Sequence, residues 1–173
     1  MKSHALIIAA AAFVALSAPA VAQGGPSDPQ IAHIAYTADN IDIEAARQAL
    51  SHTKTKAVRD FAKEMIRDHT AVNNQALALV KKLGVTPEAN PTSASLTKDA
   101  AATRARLAML NGPAFDRAYA ANEVKYHQTV NDALEKTLIP SAHNGELKAL
   151  LQTGLTLFRE HQTHAEHLAA SLK

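Results

Sequence analysis

From Pro29 to the end of the chain, apolar residues return every three or four positions, and no stretch alternates with the period of two that a strand requires. The first run, about Pro29 to Leu50, puts Ile31, Ala35, Ala38, Ile41, Ala45 and Ala49 on one face, with Asp42 beside Ile41. Asp28 is placed to cap it and Pro29 to occupy its first turn. A polar break, Ser51 to Thr55, precedes a second run through Val58, Phe61, Met65, His69, Val72, Ala76, Leu79 and Leu83, which Gly84 ends. Val85 to Ser95 holds Pro87 and Pro91 and reads as a linker. A shorter third run, about Leu96 to Leu110, stops at Asn111-Gly112-Pro113. The fourth carries Phe115, Tyr119, Glu123, His127, Val130, Leu134 and Leu138, with Pro140 as its stop. The fifth, capped by Asn144, carries Leu147, Leu151, Gly154, Phe158, His161, Ala165, Leu168 and Leu172.

This pattern predicts an all-α bundle. Two helix hairpins with short connections are joined by the linker and the short third helix, which serves as a crossover. Composition agrees. Alanine supplies 37 residues, which favours helix and allows close helix approach. Residues 29–172 are expected to form one domain, after a Gly/Pro/Ser lead over 23–28.

The first 22 residues read differently. Lys2, the apolar run Ala5 to Leu16 and the small-x-small site Ala20-Val21-Ala22 form a signal-peptide pattern, with cleavage between Ala22 and Gln23. The alternative is that the run stays as an N-terminal anchor. No later segment is apolar enough to cross a bilayer, so a periplasmic or secreted product is expected. The formal net charge is +2 and aromatic residues are 4% of the chain, which gives neither a basic nucleic-acid face nor a base-stacking platform. The protein partner, if there is one, is not written in the chain. With no cysteine, packing replaces cross-links, and any metal must sit on His, Asp or Glu.

The candidate chemistry lies where four stripes break their apolar pattern at one height. Asp42, His69, Glu123 with His127, and His161 fall near the middle of their helices. They are expected to meet within about one helical turn, ~5.4 Å. Inward carboxylates and imidazoles are costly to bury unless they pair or hold a metal. Two readings stay open. One is a divalent transition ion, Zn, Fe, Mn, Cu or Ni, held mainly by Glu123, His127, His69 and His161. The other is a metal-free network of His–carboxylate pairs. Glu64 and Asp68, near His69, and Tyr119 and Tyr126 are candidate supporting groups. His161, His164 and His167 form a second cluster, of which only His161 is expected to point inward. No nucleophile elbow or Gly-rich phosphate loop is present.

Several stretches carry a resemblance. They are Ile41-Asp42-Ile43-Glu44, the run Val58-Arg59-Asp60-Phe61-Ala62-Lys63-Glu64-Met65-Ile66-Arg67-Asp68-His69-Thr70, Phe115-Asp116 with Tyr119, Glu123 and His127, and His161 with Ala165 and Leu168. From about Asp28 to Leu172 the chain resembles a bacterial exported family catalogued as domain of unknown function number 4142. At Asp42 that family more often has Glu. The resemblance implies a ferritin-like four-helix bundle and export, but no settled activity. Di-iron bundles of that kind use Glu-x-x-His on two helices. Here Glu123 and His127 are four apart, and no Glu-x-x-His runs through His161. The departure fits a mononuclear or vestigial site better than a di-iron centre. Three functions follow as expectations: a metal-binding bundle in storage, sensing or envelope stress; a non-catalytic envelope protein with a structural network; and a metal-dependent oxidoreductase acting on peroxide or oxygen.

Overall fold

Proline and small polar residues set the helix starts. In the computed structural model, which describes residues 24–172, five helices are present and no strand occurs among the described residues. The signal-peptide reading over residues 1–22 and the cleavage point before Gln23 lie outside them. Helix α1 spans Asp28–His52, α2 Lys56–Leu83, α3 Pro91–Ala108 and α4 Gly112–Ala133. A π-helical turn, Leu134–Leu138, and a last turn, Ile139–Ser141, extend α4, and α5 spans Gly145–Ser171. No helix among the described residues is long and apolar enough to cross a membrane.

Four details differ from the sequence expectations. The N-cap position of α1 is Ser27, whose N–H donates to Gln30 Oε1 at 3.1 Å. Asp28 is freed for a longer reach: its carboxylate accepts the backbone N–H groups of His143 and Asn144, at 2.9 and 2.8 Å. The break after α1 is shorter than expected, because Ser51 and His52 remain helical and only Thr53 to Thr55 separate α1 from α2. Helix α3 starts inside the expected linker, at Pro91. Asn90 caps it by accepting the Ser93 N–H at 3.0 Å, and a proline in the first turn has no N–H to lose. Finally, α4 runs past Pro140. In the wider turn before it, the Ile139 N–H bonds the carbonyl of Leu134, five residues back. This loosening accommodates a ring that would otherwise crowd the carbonyl four residues earlier. Gly84, at φ 65°, and Asn144, whose side chain accepts the Glu146 and Leu147 N–H groups, end α2 and start α5 as expected.

α1 packs along α2, and α4 along α5, each pair as a hairpin; α2 also meets α5 and α1 meets α4. Two polar contacts place α3 on the outside of α1, running the same way: Asn90 donates to the Gln30 carbonyl and Gln48 to the Arg104 carbonyl. α3 buries only Ser93 and Leu107. It carries the chain from the end of α2 back to the start of α4, a distance of about 27 Å at 1.5 Å per residue.

The interior divides into two apolar clusters. One gathers Val58, Phe61, Met65, Phe115, Tyr119 and Leu168 with buried alanines of α1, α2, α4 and α5. The other gathers Ile31, Ile34, Leu134, Leu138, Leu151 and Phe158. Full burial of a side chain such as Phe61 or Met65 contributes about 1.5–3 kcal/mol. A belt of polar side chains lies between the clusters.

Candidate metal centre

The belt is built by helix periodicity. Asp39 and Asp42 are three apart on α1, and Glu123 and His127 four apart on α4, so each pair shares a face. α2 brings His69, and α5 brings His161. All six side chains are buried: Asp39 is 3% exposed, Asp42 1%, His69 2%, Glu123 1%, His127 0% and His161 2%. Alanines 45, 46, 62 and 165 pack nearby with almost no exposure, and their small size leaves room for three imidazoles in one cross-section.

Each imidazole is held by one nitrogen. His69 Nδ1 pairs with Asp39 Oδ1 at 2.7 Å. His127 Nδ1 donates to the Glu123 carbonyl at 3.0 Å. His161 Nε2 meets Asp68 Oδ2 at 3.1 Å, and Asp68 is fixed in turn by Arg67 at 2.6 and 2.8 Å. The other nitrogen of each ring, His69 Nε2, His127 Nε2 and His161 Nδ1, is buried without a hydrogen-bond partner. One nitrogen from each of the three rings lies within 4.8 Å of the other two. Asp42 belongs to an adjoining set with Glu123 and His127, whose ligand atoms also lie within 4.8 Å of one another. Its Oδ2 is 3.3 Å from both His69 Nε2 and His127 Nε2, yet neither contact is aligned as a hydrogen bond. Phe158 closes one side, stacked on His69 with ring centroids 4.6 Å apart.

The charges follow from this packing. Burial alone would push His69 down, but Asp42 and the bond to Asp39 outweigh it and raise its pKa to about 10. For Asp42, burial is opposed by His69, His127 and His161, and the carboxyl is held below its ordinary value. Burial dominates elsewhere. It lowers His127 to about 4 and lowers His161, with repulsion from His69 adding to both. It also raises Glu123 well above the carboxylate range, with Asp42 adding to the effect. Asp39 is raised too, because burial exceeds the pull of His69. In the protein without an ion, the belt is therefore centred on a His69 imidazolium facing the Asp42 carboxylate, with His127 neutral.

All five predicted residues meet in the interior, but not equivalently. Asp42 stands nearer the bare imidazole nitrogens than the sequence reading gave it credit for. Glu123 Oε2 lies 3.9 Å from His127 Nδ1, the nitrogen already bound to backbone. Of the supporting candidates, Asp68 orients His161, and Glu64 pairs with His164 at 2.7 Å while lying within 4.8 Å of Asp68 and His161. Tyr119 is fully buried with its hydroxyl unpartnered. Tyr126 is committed elsewhere, donating to the Ala38 carbonyl at 2.7 Å. His164 and His167 are exposed, so the second histidine cluster contributes only His161. Asp39 is the residue the sequence reading missed. Its spacing of three from Asp42 was the available signal.

No curated protein and no solved structure matches the chain. One family model does, over residues 14–168, which take in the whole belt. The chain belongs to the family described as Domain of unknown function (DUF4142).

Proposed function

We propose that this protein is an exported, ferritin-like four-helix bundle that binds one divalent transition-metal ion through His69, His127, His161 and Asp42, with Glu123 in reserve. One observation carries the reading: three buried imidazoles, each fixed through one ring nitrogen, leave their second nitrogens bare around a carboxylate. Buried polar atoms are rarely left unpaired, and six such atoms of these residues and Glu123 lie in this belt. The spacing suits an ion. Four ligands at about 2.0–2.1 Å in a tetrahedron stand about 3.4 Å apart, and Asp42 Oδ2 is 3.3 Å from each of two imidazole nitrogens. The Asp39–His69 and Asp68–His161 pairs supply the outer carboxylates that orient metal-binding imidazoles. Two carboxylates and three imidazoles are too few acids for the bridged pair of a di-iron bundle.

The chemistry such a centre offers is sequestration or sensing of a transition ion, and the signal-peptide pattern supports a role outside the cytoplasm, in the periplasm or beyond. Two hairpins joined by an outer α3 support the ferritin-like arrangement.

Elemental analysis of untagged protein is expected to show close to one equivalent of a transition metal after loading. Metal at 100 times its dissociation constant should stabilise the fold by about 2.7 kcal/mol, or roughly 5–10 °C in Tm. His127→Ala should abolish the shift and His167→Ala should leave it. Asp39→Asn should weaken binding about 10–100-fold with unchanged helix content, as loss of an orienting partner does. If none of Zn, Mn, Fe, Cu or Ni moves the wild-type transition, the belt is a structural network around the His69–Asp42 pair.

A further inference from the structure

The second apolar cluster does not close on itself. Between α1, α2, α4 and α5, with one edge on the start of α3, it lines a cleft of about 800 Å³ that reaches solvent at Thr92, Thr129 and Thr137. Protein interiors are packed to crystal density, with few voids larger than a water molecule. Small residues on four helices make this one: Ala35 and Ala38 on α1, Ala76 on α2, Ala133 on α4 and Gly154 on α5 all line it.

We propose that this cavity is a binding site for a single unbranched acyl chain. Three features select that occupant. The first is the lining. Among the described residues Asp39 is the one charged residue on the wall, and its carboxylate is taken up by His69. Water inside would find few of the two to four partners it needs, and the apolar wall left wet would forgo its burial. An apolar occupant resolves both problems. The second is shape. The lining on α1 runs from Gln30 to Asp39 and on α5 from Leu147 to Phe158, which is roughly 14–16 Å along the bundle axis. An apolar cleft of that length fits an extended chain. The third is polarity along its length. The inner end is closed by Phe158 and the buried Asp39, whereas the outer rim carries neutral polar groups, Gln30, Asn90 and Thr92, where a headgroup can stay wet. The size and apolar wall with a few polar groups are those of ligand sites in general. The site shares a wall with the candidate metal centre but does not depend on a metal.

The test uses protein purified after expression of the full chain, with chelator present, and straight-chain fatty acids from hexanoate to dodecanoate as probes, followed by calorimetry. Saturable binding at one equivalent is expected, tightening about fourfold per added methylene until the chain outgrows the cavity. Ala35→Leu with Ala76→Leu should weaken dodecanoate binding at least tenfold while leaving the unliganded Tm the same or higher, since the added side chains fill a hole. The chain-length series in the wild-type protein decides the matter even if that variant folds poorly. Absence of saturable binding overturns the proposal, whether water or another segment of this chain occupies the space. So does an affinity that ignores chain length, or one that survives in a filled, folded variant.

Discussion

Asp42→Asn is expected to lower the stability of the metal-free protein by about 3 kcal/mol, the scale of breaking a buried ion pair from one side. For a domain of this length that is roughly 6–12 °C in Tm. The carboxylate sits 3.3 Å from His69 Nε2 and from His127 Nε2, with 1% of the residue exposed. An amide of the same shape keeps the packing and removes the charge. His69 then loses the larger of the two attractions that keep it protonated, and its pKa falls. The same substitution removes a ligand, so metal affinity should drop by at least ~100-fold, more than the loss expected for an orienting partner alone. Circular dichroism would check that the helices remain, with thermal melts and metal titration giving the two effects. Unchanged Tm together with unchanged metal affinity would remove Asp42 from the centre.

The alkaline limb of the stability profile should be set by His69. Its pKa in the folded protein is about 10, above the ordinary value near 6.5 that it has in the unfolded chain. The folded state therefore binds the proton more tightly. That contribution is complete below pH 6.5, declines as pH rises and is gone above about 10. Its ceiling is about 5 kcal/mol, from 1.36 kcal/mol per pH unit over this interval. Tyr119 and Tyr126, both raised by burial, act in the same direction at higher pH. Metal-free wild type should lose stability steeply between pH 7 and 10, and His69→Gln should show a much flatter profile. Nitrogen NMR offers the direct check: at pH 8 one histidine should still carry both ring protons. If every ring is neutral at pH 8, the imidazolium–carboxylate pair does not exist. An ion entering the centre must displace that proton, so metal uptake near neutral pH should release acid and strengthen as pH rises.

The helices and the belt were largely legible because both rest on periodicity. His69 and His161 interrupt otherwise apolar stripes, and a stripe with one polar residue at mid-height announces a buried polar site. Asp39 was not legible in the same way. A stripe through Ala38 and Asp42 accounts for the inward face of α1 with small residues, and the spacing of three from Asp42 was the one local sign that Asp39 also turns inward to reach a ring on α2. The ranking of Asp42 against Glu123 was equally hidden, since it depends on helix rotation that spacing along one helix cannot fix. Pro91 and Pro140 misled for opposite reasons. Pro91 is compatible with a helix start once Asn90 caps it, and Pro140 is tolerated because the turn before it widens. The cavity left no mark in the pattern, because an alanine facing a neighbour and an alanine facing a void read alike.

The contact of Asp28 with His143 and Asn144 spans 115 and 116 residues. It fixes an order of events in time. Closing a loop of that length carries an entropic cost that only late, collective packing can offset. The Asp28 carboxylate therefore stays without these partners until almost the whole chain is present, although Pro29 and Gln30 already meet Glu88 and Asn90. A polypeptide that leaves its point of synthesis, or threads a translocation channel, N-terminus first would keep Asp28 free of these two partners throughout the passage. In a chain ended at Ser141, hydrogen exchange should find the first turn of α1 open, while protection returns only when the residues of the last connection and α5 are restored.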